Sequence, residues 1–287
     1  MSIRKILVPL LGNPVDAIVL GTAMAVARDF EAQLVGLFAR PDPTDALPYL
    51  GDGVSGQVIE EVMQAATAGA ESAWGRARVM FADMGLRAGI PLVKEGNARE
   101  RPSLRFIDAT GRRDDLVATH ARLSDLVVFG ETPESVQAGG VSLEAALFNA
   151  GRPVLIAPKT SAGKVGGRIA IGWDESAEAA HAVNAAMPFL AKASDVVIFS
   201  VEKTKLDPSA GFLLADYLAL HDVAAKVQVI EGGGKGAGAA LLTEAEKSGI
   251  DLLVMGGYGH SRWREFFMGG ATQHVRSHAT IPVLMAH

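Results

Sequence analysis

The 287-residue chain contains no cysteine, which excludes disulfide bonds, thiol catalysis and metal sites with cysteine ligands. It has no excess of basic residues either, because its formal net charge is −5 and its pI is near 5.8. Nucleic-acid-binding proteins usually present a basic face, so we expect no nucleic acid among its partners. No apolar run approaches the roughly 20 residues that a membrane-spanning helix needs, so we expect no membrane partner.

Recognisable catalytic patterns are also missing. The sequence has no nucleophile elbow, no acid and base at a fixed spacing, and no Walker lysine followed by a metal-binding serine or threonine. His274 and His278 lie on one predicted helix and could share a metal, but no third ligand is evident, so we predict no metal site. These absences favour binding or sensing over catalysis, and we assign no catalytic residue.

The N-terminus resembles a secretory signal in one respect. Arg4 and Lys5 precede a short apolar run, residues 6–11. Turn-forming residues interrupt that run from Gly12 onward, and the same strand–turn–helix pattern recurs inside the chain near Arg168. We therefore expect the N-terminus to be mature structure and the protein to be cytoplasmic.

The chain reads as an internal repeat. Residues 124–130 (S-D-L-V-V-F-G) match residues 250–256 (I-D-L-L-V-M-G), and residues 152–157 (R-P-V-L-I-A) match residues 281–286 (I-P-V-L-M-A). Residues 159–167 form a Gly/Ser/Lys linker between the halves. The length suits two domains of ordinary size, and we place them at residues 1–158 and 168–287.

Short apolar strands alternate with helices in both halves. We predict strands at residues 5–10, 33–39, 90–94, 125–130, 153–157, 168–173, 195–201, 225–230, 251–255 and 282–286. We predict helices at residues 15–30, 57–84, 142–150, 237–248 and 271–279, one that starts at Asp108 or Thr110 and ends near Leu123, one that follows 174–176 and ends near 191, and one that ends near 221. Residues 96–104 are predicted to be irregular. This alternation indicates an α/β fold of two tandem doubly wound parallel-sheet domains.

One stretch near the C-terminus suggests a ligand site. The apolar run 252–255 is typical of a buried parallel strand, and Gly256, Gly257 and Gly259 follow it at once. A second pair, Gly269 and Gly270, precedes the last predicted helix. The free amides and the dipole of a helix N-terminus attract anions, and the segment between the glycine patches is basic, so this stretch predicts an anion site.

The spacing Gly256-x-x-Gly259-x9-Gly269-Gly270 resembles the G-x-x-G-x9-G-[S/T] nucleotide loop of the universal stress protein family. Gly270 stands where that family usually has serine or threonine. Because strand, loop, helix and closing strand fall in the same order twice, the chain is identified as a tandem member. The resemblance implies a universal-stress-protein-like fold, related to the Rossmann and flavodoxin-like folds. It also implies that the strands at 153–157 and 282–286 pair edge to edge, making a pseudo-dimer within one chain, and it leaves a homodimer open.

The resemblance further implies roles for individual residues. Asp174 would accept hydrogen bonds from the ribose, the Val201 backbone would meet the adenine, and Met255–Gly256 would end the strand under the ribose. Arg262 could clamp an outer phosphate. The phosphates would lie against Gly259, Gly269, Gly270, Ala271 and Thr272.

Plainer explanations exist for three of these positions. Asp174 could be a helix N-cap, a role compatible with ribose binding. Arg262 could belong to a solvated basic loop. Trp173, which precedes Asp174, more often packs under a helix in such a place than stacks on a base.

The first half departs from the nucleotide-loop pattern. Pro133 stands where Gly259 would be, Val141 replaces Gly270 and Leu143 replaces Thr272. Glu131 and Glu134 lie where the second half is basic. Proline removes an amide donor and acids repel phosphate, so we expect no polyphosphate in this half.

The sequence therefore predicts a cytoplasmic stress-response protein that binds ATP or AMP through its second half. Two alternatives remain at this stage. In one, the altered loop has lost the nucleotide and the fold acts as a dimerising interaction protein. In the other, the protein is a weak ATP hydrolase.

Overall fold

A computed structural model describes residues 2–42, 55–94, 101–130, 141–160, 162–202, 209–231, 236–258 and 270–287. Within these ranges, strands and helices alternate along the chain. The first half contains β1 (Lys5–Leu10), α1 (Val15–Asp29), β2 (Gln33–Arg40), α2 (Gly56–Ala88), β3 (Ser103–Thr110), α3 (Arg113–Ala121), β4 (Leu126–Gly130), α4 (Val141–Glu144, continued by a π-helical turn Ala145–Asn149) and β5 (Val154–Ala157). The second contains β6 (Arg168–Trp173), α5 (Ala177–Leu190), β7 (Asp195–Glu202), α6 (Ala210–Ala219), β8 (Lys226–Glu231), α7 (Ala237–Lys247), β9 (Leu252–Gly256), α8 (Gly270–His278) and β10 (Val283–Ala286).

These strands form one ten-stranded sheet in the order β3-β2-β1-β4-β5-β10-β9-β6-β7-β8. Each half has the same strand order, read inward from opposite edges, and the pairs within each half are parallel. The two halves join where β5 and β10 pair antiparallel, with Leu155 opposite Leu284. The predicted edge-to-edge pairing of the closing strands is therefore present.

The alternation of side chains along each strand divides the interior into two cores. In β1, for example, Ile6 and Val8 enter one core while Leu7 enters the other. Helices α1, α2, α5 and α6 cover the first face of the sheet, and α3, α4, α7 and α8 cover the second. The doubly wound α/β prediction is confirmed. No helix in the described ranges combines the length and the apolar character needed to cross a membrane.

Two aspartates at equivalent positions fix the start of each half. The Asp125 carboxylate accepts hydrogen bonds from the amides of Arg4 and Lys5, at 2.8 and 2.9 Å. The Asp251 carboxylate accepts from the amides of residues 166, 167 and Arg168, at 2.9, 3.1 and 3.0 Å. Lys5 and Arg168 are therefore equivalent residues of the two repeats.

The predicted strand at residues 90–94 is wrong. Leu92 forms only an isolated bridge with Leu104, and the true edge strand is β3. Pro91 has no amide to donate to a ladder, which limits pairing in that segment. The strand β3 was not predicted because its last six residues, R-F-I-D-A-T, mix charged and apolar side chains, as is usual in an edge strand.

The helix predicted to start at Asp108 or Thr110 begins later, at Arg113. Asp108 remains in β3 because its carboxylate binds the Arg40 guanidinium of the neighbouring strand at 2.7 and 2.8 Å. The register pairs Asp108 with Phe38 and Arg40 with Thr110, so the ion pair runs diagonally between the two strands. A cross-strand ion pair thus extends the edge strand into a segment that resembles a helix start.

Candidate functional site

Three parallel strands of the second half end at the same edge of the sheet. The register places Trp173, the last residue of β6, opposite Ser200 of β7. It also places Gly172 opposite Met255 of β9. The strand ends predicted to converge therefore do so, at the edge where open α/β sheets bind ligands.

Asp174 follows β6 directly but is not the N-cap of α5. Its Oδ1 accepts hydrogen bonds from the Ser176 amide at 3.1 Å and from the Ser176 hydroxyl at 2.6 Å. Ser176 is the cap, since its Oγ accepts from the Ala179 amide at 3.1 Å. Asp174 thus orients the capping residue from the end of β6. Trp173, beside it, packs against the apolar core, which fits the plainer explanation.

Gly256 ends β9 where the N-terminus of α5 crosses it. A Cβ added there would lie 2.7 Å from the Ala179 nitrogen and 2.9 Å from the Glu178 carbonyl carbon. Close approach of two backbones therefore requires glycine at this position, independently of any ligand. Met255, the preceding residue, is buried in the opposite core, and Val201 of β7 is buried as well.

The turn after β9 is anchored to α8. The Gly257 amide donates to the Ala286 carbonyl at 2.9 Å, and the Tyr258 amide donates to the Thr272 hydroxyl oxygen at 3.3 Å. Tyr258 has a φ of +64°, which non-glycine residues rarely adopt. Thr272 is buried, and its hydroxyl connects the strand end to the first turn of the helix.

Gly270 and Ala271 begin α8. Among the described residues, no atom lies within 4 Å of a Cβ added to Gly270, so their packing does not require glycine there. Ala271 is held by α7, because a Cβ on Gly238 would lie only 2.7 Å from the Ala271 carbonyl oxygen. Three further predicted site residues lie outside the described ranges, namely Gly259, Arg262 and Gly269.

A polar cluster beside this turn joins the two halves. Arg276 of α8 is 4% exposed, and its Nη1 donates to the Tyr258 hydroxyl at 2.6 Å. Burial raises the pKa of Glu144, on α4 of the first half, while the positive charge of Arg276 and a hydrogen bond from Tyr258 lower it and Asp114 raises it. The Tyr258 ring also packs edge-on against Phe148 of the first half, with centroids 5.2 Å apart.

Sequence reasoning missed this cluster. Glu144 and Arg276 belong to different halves, so only the pairing of β5 with β10 brings them together. The one available signal was an arginine next to Val275 on the apolar side of a short helix.

The corresponding strand end in the first half is closed. Counting from Lys5 and Arg168, the residue equivalent to Asp174 is Leu11. A Cβ on the next residue, Gly12, would lie 2.1 Å from the Ala73 carbonyl oxygen of α2. This 33-residue helix covers the strand end, whereas its counterpart α6 has 10 residues.

Asp16 uses the amides at that same strand end. Its carboxylate is 2% exposed and accepts hydrogen bonds from the amides of Leu11 and Gly12, the latter at 2.7 Å. Burial raises the pKa of Asp16, and the backbone hydrogen bonds and the nearby Arg113 oppose that rise. The amides that a ligand would need here are already occupied. Leu143, at the position of Thr272, is buried and apolar, and residues 131–140 lie outside the described ranges.

In the described part of the chain, no group of three or more histidine, aspartate or glutamate side chains is arranged to hold an ion. The rings of His274 and His278 stack at 4.2 Å, and the His278 Nδ1 lies 2.9 Å from the His274 carbonyl oxygen.

Comparison with known proteins agrees with this architecture. The Universal stress protein family profile matches residues 167–287. A universal stress protein from Synechocystis is 28% identical over 172 residues, which span 56% of this chain and 57% of the relative.

Solved structures match over the whole length. A universal stress protein from Archaeoglobus fulgidus has a TM-score of 0.68 at 15% identity, covering 100% of this chain and 99% of that one. A putative universal stress protein from Pseudomonas aeruginosa has a TM-score of 0.57 at 16% identity, covering 99% and 92%. At these identities the structures establish a shared fold. The universal stress protein family profile thus covers the second half of the chain, and the first half repeats the strand order of the second.

Proposed function

We propose that this chain is a stress-response protein that binds one adenine nucleotide, ATP or AMP, at the carboxyl edge of its second-half strands. The observation that carries the proposal is the placement of the Asp174 carboxylate at the end of β6, beside the ends of β7 and β9. A carboxylate there is a suitable acceptor for two ribose hydroxyls. The equivalent residue of the first half, Leu11, has no acceptor side chain.

The phosphates would lie at the N-terminus of α8. In this proposal the amides of Gly270 and Ala271, together with the helix dipole, attract the negative charge. The Thr272 hydroxyl, already tied to the Tyr258 amide, holds the turn in place. From the sequence alone, Gly259 and Gly269 would allow close approach of the backbone.

The remaining contacts of the proposal concern the base and the sugar. The Val201 backbone would meet the adenine. Met255 and Gly256 would form the floor under the ribose, although Gly256 also serves the packing of α5.

The proposal is asymmetric, with binding in the second half alone. We also propose that the two halves are separate domains, at residues 1–158 and 168–287. In the first half, α2 covers the strand end and Asp16 occupies its amides. The first half then acts as a structural partner through β5 and the cluster around Glu144.

Purified full-length protein, denatured by heat and analysed by anion-exchange chromatography and mass spectrometry, tests the proposal. We expect an adenine nucleotide at no more than one equivalent per chain, or uptake of one equivalent when the purified protein is incubated with ATP or AMP. Absence of both release and uptake would favour the alternative of a dimerising interaction protein.

A further inference from the structure

An open groove lies between α1 and α2 of the first half. Its volume is about 890 Å³, within the range of small-molecule sites. Its walls are mainly apolar and include three methionines, whose flexible thioethers adapt to ligands of different shape. The apolar wall includes Ala17, Met24, Val79, Met80 and Met84.

The groove is not filled by the packing of the fold. Gly75 of α2 and Gly163 of the segment that links the halves both line it, and a Cβ added to either would meet no atom of the described residues within 4 Å. Val79, on the wall, is 60% exposed. The exposed apolar surface beside these two glycines leaves room for an apolar group of a ligand.

One end of the groove is positively charged. Arg28, in the last turn of α1, and Arg87, in the last turn of α2, line that end, and within the described ranges neither side chain makes a hydrogen bond or ion pair. Each helix C-terminus carries only about half a negative charge, so the two arginine side chains leave a net positive charge at this end of the groove. Asp83 is the single acid among the groove's lining residues.

The third arginine of the groove is already engaged. Arg76 donates to the Gly12 carbonyl at 2.7 Å and to the Ser72 hydroxyl at 2.7 Å. The anion-binding end is therefore the one formed by Arg28 and Arg87. From Gly75 to Arg87 the helix rises about 18 Å, which suits an extended acyl chain of medium length.

We propose that this groove binds a single-chain amphipathic anion, such as a medium-chain carboxylate. The tail lies along the methionine-lined wall, and the headgroup meets Arg28 and Arg87. This ligand is separate from the nucleotide, and the proposal stands whether or not a nucleotide binds.

Calorimetric titration of the full-length protein with laurate, kept below its micelle concentration, tests the proposal. Dodecyltrimethylammonium has the same tail with the opposite charge and serves as the ligand control. Gly75→Leu fills the groove, and the open space around that position lets the leucine fit without displacing backbone. Gly69→Leu is the matched protein control, because Gly69 lies on the same helix with nothing within 4 Å and does not line the groove.

We expect one laurate per chain, binding lost in Gly75→Leu and unchanged in Gly69→Leu. The double variant Arg28→Gln/Arg87→Gln is expected to bind laurate about tenfold more weakly, since exposed charge contacts contribute modestly. Equal binding of the cationic amphiphile, or laurate binding that survives Gly75→Leu, would overturn the proposal. Sedimentation that reveals a dimer disrupted by Gly75→Leu would instead assign the groove to a second copy of this chain.

Discussion

The Tyr258 hydroxyl lies 2.6 Å from Nη1 of Arg276, and this contact connects the turn after β9 to the buried side of α8. The same tyrosine packs against Phe148 of the other half. A residue adjacent to the proposed nucleotide site is therefore held in place by both halves of the chain.

Removing that hydroxyl tests the connection. Tyr258→Phe keeps the ring but leaves a buried guanidinium with one fewer partner, which typically costs about 1–3 kcal/mol. We expect the free energy of unfolding, measured by urea denaturation, to fall by that amount. Tyr217→Phe is the control, because Tyr217 is 43% exposed and its ring packs on His221. An equal loss in both variants would argue against a special role for Tyr258.

The raised pKa of Glu144 predicts a pH dependence. Because burial raises this pKa in the folded state, folding favours the protonated carboxyl, and that contribution is complete at a pH below the unfolded pKa. It is lost as the pH rises through the folded pKa. Glu144→Gln mimics the protonated form, so its stability relative to wild type should increase from pH 4 to pH 7. A relative stability that stays constant across this range would show that burial does not raise the pKa of Glu144 in the folded state.

Gly256 is predicted to be required by packing. An added methyl group would overlap the backbone of α5, and overpacking of this kind costs about 1–3 kcal/mol. We expect Gly256→Ala to lower the melting temperature of the ligand-free protein. Gly270→Ala should not lower it, because no atom of the described residues lies within 4 Å of the added Cβ. Equal melting temperatures for Gly256→Ala and wild type would contradict this account.

Arg262 remains a prediction from the sequence. It lies between the two glycine patches, where it would reach only outer phosphates. A charge-assisted contact contributes about 1.5–3 kcal/mol, so Arg262→Glu should weaken ATP by about tenfold or more and AMP little. Equal weakening of the two ligands, in titrations at one salt concentration, would refute this orientation.

The sequence was sufficient to predict most of the fold. Strands such as β1, β6 and β9 are continuous apolar runs, which is the pattern of parallel strands buried on both faces. The edge strand β3 was not predicted because only its first two residues are buried. Its charged residues, such as Asp108, find partners only across the sheet.

The candidate site was predictable in part. The order of strands and turns placed Asp174 at the correct edge, but the capping role belonged to Ser176, two residues later. A glycine after a strand cannot distinguish ligand approach from helix packing, and at Gly256 packing accounts for it. The contact of Tyr258 with Phe148 depends on the pairing of β5 with β10, which no local pattern encodes.

Calorimetric titration of wild type and Asp174→Asn with ATP and with AMP tests the central claim most directly. Asparagine keeps an oxygen to accept from the Ser176 amide, so α5 stays capped while the carboxylate is lost. We predict one site per chain in wild type and an affinity about tenfold lower in the variant. Two equivalent sites per chain, or equal affinities in the two proteins, would contradict the account.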